Sequence, residues 1–183
     1  MLSDATFSFF VLVLGGVAAE RLVELWIARR NLAWAFERGA VEFGRSHYPW
    51  MVALHTLFLP ACAAEVIVFE RPWVPALGFT MLGAVAATML LRYWVIATLG
   101  RRWNTRVVLV PGEPLAVSGP YRFLPHPNYL AVVVEIVALP MIHSAWLTAL
   151  VFSAANALVL NRRIMVENKA LESHRLSQAS DEG

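Results

Sequence analysis

Two short stretches carry most of the side chains that stand out from an apolar background. The first, SGPYRFLPHPNYL at residues 118–130, gathers Tyr121, Arg122, His126, Asn128 and Tyr129 among three prolines. The second, NRRIMVENKAL at residues 161–171, sets Arg163 four positions before Glu167, so both face one side of a helix. An arginine fork suits a carboxylate or phosphate. A helix N-terminus beside a histidine suits any anionic group. By spacing alone, Arg163 and Glu167 read equally well as an ion pair on a solvated helix end.

The backbone around the first stretch is held open. Pro111-Gly112 and Gly119-Pro120 mark turns. Leu124 and His126 each precede a proline and are turned away from helix. The segment 99–130 therefore reads as extended, with backbone groups free for a ligand. A helix is expected to start just after it, with Asn128 as N-cap.

Further ionisable residues lie inside apolar runs, where they are costly and default to a paired or functional reading. Glu20, Arg21 and Glu24 read as an interfacial ion cluster or a site, and Arg92 with Glu135 as a buried pair. Glu65 lies in the second run. His55 is the deepest histidine, either a base for an acceptor or a satisfied core residue; His47 and His143 are expected at the interface. The lone Cys62 reads as a small buried hydrophobe, with no disulfide or cysteine metal site.

The elements that must position these groups follow from composition. Of 183 residues, 58% are hydrophobic and 15% charged, and mean hydropathy is +0.58. A soluble domain has roughly 45–50% apolar and about 25% charged residues. A chain this short has no aqueous core large enough for the excess, which implies an integral membrane protein. Apolar runs cover about 5–27, 48–69, 73–99, 129–142 and 145–160. A spanning helix takes about 20 residues, so the first three suffice, and the last two read as a short hairpin with Pro140 kinking or ending its first arm. The expected fold is all-α, a polytopic bundle of about five transmembrane helices, with no strand alternation. Asp4 and the absence of a cleavage site argue for a retained first helix over a signal peptide.

Arginines set the orientation. Arg29, Arg30, Arg38 and Arg45 follow the first run, Arg101, Arg102, Arg106 and Arg122 the third, and Arg162, Arg163, Lys169 and Arg175 the fifth, whereas the other side offers Arg71. The positive-inside rule then puts the N-terminus outside and the C-terminus in the cytoplasm. These arginines follow topology, form no single basic face, and give no sign of nucleic-acid binding. Trp26, Trp34, Trp50 and Trp73 fall near expected membrane boundaries. Residues 173–183 read as a flexible tail, and residues 1–172 as one domain.

GPYRFLPHPNY, then an apolar hairpin, then RIMVEN resembles the isoprenylcysteine carboxyl methyltransferase family over about residues 94–172. The resemblance implies a helical membrane enzyme that binds S-adenosylmethionine in a cytoplasm-facing pocket. A lipophilic or prenylated substrate would enter from the bilayer, in a bacterial inner membrane, with no metal. Gly119 and Tyr121 match the family's turn, His126, Pro127 and Tyr129 its box, and Arg163 and Glu167 its C-terminal motif. Backbone from Leu115 to Val117 would lie near the adenine. Pro125 stands where the family has arginine, with Arg122 as a substitute, and Asn168 stands where it has a second glutamate.

The chemistry suits such a donor. Arg163 matches a carboxylate, Glu167 an amine or ribose, and Tyr121, Tyr129 or Trp103 a sulfonium. Catalytic candidates are His55, Arg122 and Glu167. A carboxylate acceptor needs no base, whereas a phenol or enol gains from one. Two other classes stay open: a nicotinamide-dependent sterol or enone reductase, and a non-catalytic transport or binding module.

Overall fold

A computed structural model describes residues 4–45 and 48–181, with side chains at 5–45 and 48–173. His47 lies outside the described residues. Five helices dominate: α1 (Asp4–Phe36), α2 (Tyr48–Val68), α3 (Pro75–Leu99), α4 (Pro127–Met141) and α5 (Trp146–Asp181). Four of them are long and apolar enough to cross a membrane. α4 has 15 residues, about 22 Å at 1.5 Å per residue, short of a hydrocarbon core of about 30 Å.

The final pair is not a hairpin of two short arms. α5 has 36 residues and continues in helical form through the expected tail to Asp181. Residues 146–181 contain no glycine or proline, so nothing interrupts the backbone where the apolar run gives way to NRRIMVEN. α3 opens on a proline in its first turn and stops at Gly100, whose φ of 53° suits glycine.

The core of the bundle joins Phe10 and Val17 of α1, Phe58 and Val66 of α2, Val85 of α3 and Leu139 of α4. Cys62 is fully buried there. The outward faces present Leu12, Leu57, Phe79, Leu90, Leu150 and Leu158, a surface fit for lipid. His143, in the turn between α4 and α5, is fully buried within the protein. Its ring packs between Phe10 and Trp73, with centroids 5.5 and 5.9 Å away, because the short α4–α5 turn folds it back onto α1.

At the same end, Glu65 of α2 closes the start of α5. Its carboxylate accepts from the backbone N–H groups of Leu147 (3.1 Å) and Thr148 (2.5 Å) and pairs with Arg71 at 2.8 Å. This is a cap supplied by another helix, and it satisfies donors that would otherwise be orphaned. Two strands join the opposite end, which the sequence did not signal. β1 (Val41–Phe43) pairs antiparallel with β2 (Val107–Leu109), Glu42 opposite Val108.

Candidate cofactor site

The loop between α3 and α4 is fastened to α1 and to the α1–α2 connection. Asn31 of α1 donates from Nδ2 to the carbonyls of Trp103 (2.7 Å) and Gly100 (3.2 Å). Asn104 donates back to the carbonyl of Ala28 at 3.1 Å. Glu42 on β1 accepts from Arg45 at 2.8 Å and from Arg106 at 2.9 Å. Gly119 has φ +59° and lies against the Thr98 side chain, which a Cβ at this position would strike. The turn at 119–122 is thereby pressed onto the end of α3.

α4 begins two residues earlier than Asn128 would allow as a cap. His126 is the N-cap and Pro127 the first helical residue. Proline fits that position because its φ is already helical and its missing N–H is not needed. His126 makes no capping hydrogen bond with its side chain, which leaves the ring turned to other partners.

Those partners come from α4 and α5. The Tyr129 hydroxyl donates to the Glu167 carboxylate and accepts from Arg163 Nε at 2.8 Å. Arg163 Nη1 donates to the carbonyl of Thr105 at 2.7 Å and lies 2.8 Å from Met51 Sδ. Two of the three guanidinium nitrogens are thus engaged within the protein. His126 Nδ1 is 3.4 Å from Glu167 Oε1, and its ring stacks on Tyr129 with centroids 5.2 Å apart and 19° between planes. Hydrogen bonding to Glu167 holds the His126 imidazole above its usual value; burial works against this, and Glu167's charge and Asn168 add to it. Burial, and then the charge of Glu167, push the Tyr121 phenol up to about 12.

A cavity of about 870 Å³ opens over this group. Leu115, Val117, Tyr121, Arg122, His126, Pro127, Tyr129, Arg163 and Glu167, all singled out in the sequence, line it, and so does Pro125. Gly119 shapes the turn from behind the wall. Asn168, in place of the second glutamate, lines the cavity and helps to raise the His126 imidazole. Asn31, Trp103, Asn104 and Arg106 also line it. Of these, only Trp103 stood out by type; the asparagines act through the backbone of a distant segment, which no local pattern reveals.

His55 lies outside the cavity wall. Nearer to it is a buried ionic group. Arg92 pairs with Glu135 at 2.6 Å and Glu24 at 3.4 Å; Arg21 pairs with Glu135 at 2.9 Å and Glu20 at 3.2 Å, and also with Glu24. The expected Arg92–Glu135 pair and the Glu20–Arg21–Glu24 cluster are therefore one network across α1, α3 and α4.

The family model for the isoprenylcysteine carboxyl methyltransferase family matches residues 79–173, and these include every residue lining the cavity from α4 and α5. The chain belongs to this family. It is also 37% identical over 166 residues to an uncharacterised protein, YpbQ, of Bacillus subtilis, across 90% of this chain and 98% of the relative. An uncharacterised protein of Haemophilus influenzae is 26% identical over 160 residues, across 85% and 90% of the two chains. No solved structure matches. Isoprenylcysteine carboxyl methyltransferase family membership, with four helices of spanning length and composition, identifies an integral membrane methyltransferase.

Proposed function

We propose that the protein transfers a methyl group from S-adenosylmethionine to an oxygen of a lipophilic acceptor. That acceptor is an isoprenylcysteine carboxylate or a long-chain phenolic or pyrone lipid. The observation that carries this reading is the convergence of His126, Tyr129, Arg163 and Glu167 beneath one cavity, within the family-matched region.

The residues suit this cofactor. A volume of about 870 Å³ falls in the range of about 300–1,000 Å³ typical of ligand pockets. Asn128 Oδ1, in a residue lining the cavity, is buried without a hydrogen-bond partner among the described residues, an acceptor suited to an amine. Glu167 suits a second amine or a ribose hydroxyl. The free Arg163 nitrogen and the exposed Arg122 suit the methionine carboxylate, and Leu115 to Val117 offer backbone groups to the adenine. When bound, the cofactor supplies an electrophilic methyl on a sulfonium. Tyr121 and Trp103 present aromatic faces to such a cation. The protein's task is then to hold donor and acceptor in line, where proximity supplies most of the rate.

The cavity end of the bundle carries Arg29, Arg30, Arg101, Arg102, Arg122 and Arg162. The positive-inside rule favours that end facing the cytoplasm, with the N-terminus outside. A soluble cofactor then arrives from the cytoplasm and a lipid acceptor from the bilayer.

The test is incubation of the purified protein with methyl-radiolabelled cofactor and a panel holding a farnesylcysteine analogue and an alkylresorcinol. Label in the lipid product is expected, together with thermal protection by S-adenosylmethionine and none by NADPH. Protection by NADPH alone would favour a reductase and defeat the proposal.

A further inference from the structure

A second cavity, of about 390 Å³, lies between α1 and the segment that follows α3. Trp26, Arg30, Trp34 and Glu37 of α1 line it, together with Arg101 from that segment. These four α1 positions share one face of the helix. Asn31 brings the two arginines to the same cavity. Its side chain, next to Arg30 in the chain, donates to the carbonyl of Gly100, next to Arg101, at 3.2 Å, and to that of Trp103 at 2.7 Å. The Arg30 guanidinium lies over the Trp26 ring, 4.7 Å from its centroid. Among the described residues, the charged groups of Arg30, Glu37 and Arg101 make no ion pair and no side-chain hydrogen bond. Groups of opposite sign thus line one cavity without pairing, and both signs are open to a ligand.

The order of these groups along α1 matches the order of groups along a membrane lipid. The apolar run of α1 ends near residue 27, so Trp26 stands at the hydrocarbon edge, where tryptophan is favoured. Arg30 lies about 6 Å further along the helix and Glu37 about 16 Å, at 1.5 Å per residue. A phospholipid with its chains beside Trp26 sets its phosphate at the level of Arg30 and Arg101, and its terminal group beyond them, towards Glu37.

We propose that this cavity binds the headgroup of an amine-bearing phospholipid, its phosphate held by Arg30 and Arg101 and its ammonium by Glu37. The proposal is independent of the methyl-transfer reading. Guanidinium forks suit phosphate oxygens, and Arg30, already laid on Trp26, has less freedom to lose on binding. Glu37 makes the choice among phospholipids. A glycerol headgroup brings no cation to its carboxylate, and a choline headgroup brings a cation without an N–H donor.

The test strips the detergent-purified full chain of lipid and titrates it, by native mass spectrometry, with phosphatidylethanolamine, phosphatidylglycerol and phosphatidylcholine of identical chains. The ethanolamine lipid should bind at least about fivefold more tightly than either of the others, as one charge-assisted hydrogen bond to Glu37 implies. Arg30→Gln should weaken its binding at least about tenfold. Glu37→Lys should reverse the preference, towards phosphatidylglycerol. Arg30 and Glu37 are both exposed; should Arg30→Gln not fold, Glu37→Lys carries the test. Equal binding of the three lipids, a wild-type preference for phosphatidylglycerol or phosphatidylcholine, or an unchanged preference in Glu37→Lys overturns the proposal. Displacement of the bound lipid by an equal concentration of soluble phosphoethanolamine overturns it too, because the ligand would then be a free phosphoester.

Discussion

Arg163 Nε donates to the Tyr129 hydroxyl at 2.8 Å, and that hydroxyl in turn donates to Glu167. A phenol is thereby set between a guanidinium and a carboxylate four residues apart on the same helix. The three groups hold one another in place on both sides of the cavity, so the site is built before any ligand arrives. Under the proposed function, Arg163 and Glu167 would meet the cofactor with their rotamers already fixed, and little ordering entropy would remain to be lost on binding.

Tyr129→Phe removes both of these bonds and leaves the ring stacked on His126. Hydrogen bonds to charged groups are worth about 1.5–3 kcal/mol. Affinity for S-adenosylmethionine should weaken by about 10- to 100-fold, measured by calorimetry in detergent. An unchanged affinity would show that the triad supports the fold and not the ligand.

The raised His126 value has a definite sign. His126 keeps its proton to higher pH in the folded protein than in the unfolded chain. Its contribution to stability is complete below the ordinary histidine value and is lost as pH rises through the raised one. Thermal midpoints of the wild type should fall across that window. Glu167→Gln removes the largest cause and should flatten the pH dependence. An equally steep dependence in the variant would place the origin elsewhere.

The sequence made the lipid-facing helices and the box of Tyr121, His126, Tyr129, Arg163 and Glu167 legible, because long apolar runs and i,i+4 spacing are local signals. Arg92 and Glu135 were legible as a pair because two charges in apolar runs must find partners. Three features were not. The reach of α5 past residue 172 to Asp181 runs through the polar segment read as a flexible tail, where no apolar run reports a helix. The β1–β2 ribbon joins two three-residue segments more than 60 positions apart, too short for alternation to register. Asn31 and Asn104 work through backbone carbonyls of segments distant in sequence, contacts that only the assembled bundle creates.

That ribbon gives a prediction of its own. Burial alone would raise the Glu42 carboxyl, but hydrogen bonds from Arg45 and Arg106 outweigh it and hold Glu42 below the usual carboxylate value. Its contribution is present above the ordinary carboxylate range and is lost as pH falls through the lowered one. Hydrogen exchange at residues 41–43 and 107–109 should quicken with acid, beyond the intrinsic pH effect. Glu42→Gln should show the faster exchange already at neutral pH. Slow exchange in that variant would mean that the strand pairing alone holds the loop.

The buried ionic network predicts strong non-additivity. Arg92→Met leaves the carboxylates of Glu24 and Glu135 with Arg21 as their remaining partner, and Glu135→Met leaves Arg92 with Glu24 alone at 3.4 Å. Breaking a buried pair from one side costs about 3–5 kcal/mol, while replacing both partners with apolar residues of similar volume is often close to neutral. Each single variant should therefore lower the thermal midpoint markedly, and the double variant should recover much of the loss. The double-mutant cycle measures the coupling directly. Because Arg21 also bonds Glu135 at 2.9 Å, recovery should be incomplete until Arg21 is replaced as well. Purely additive losses would mean that lipid headgroups or water, and not these side chains, satisfy the charges.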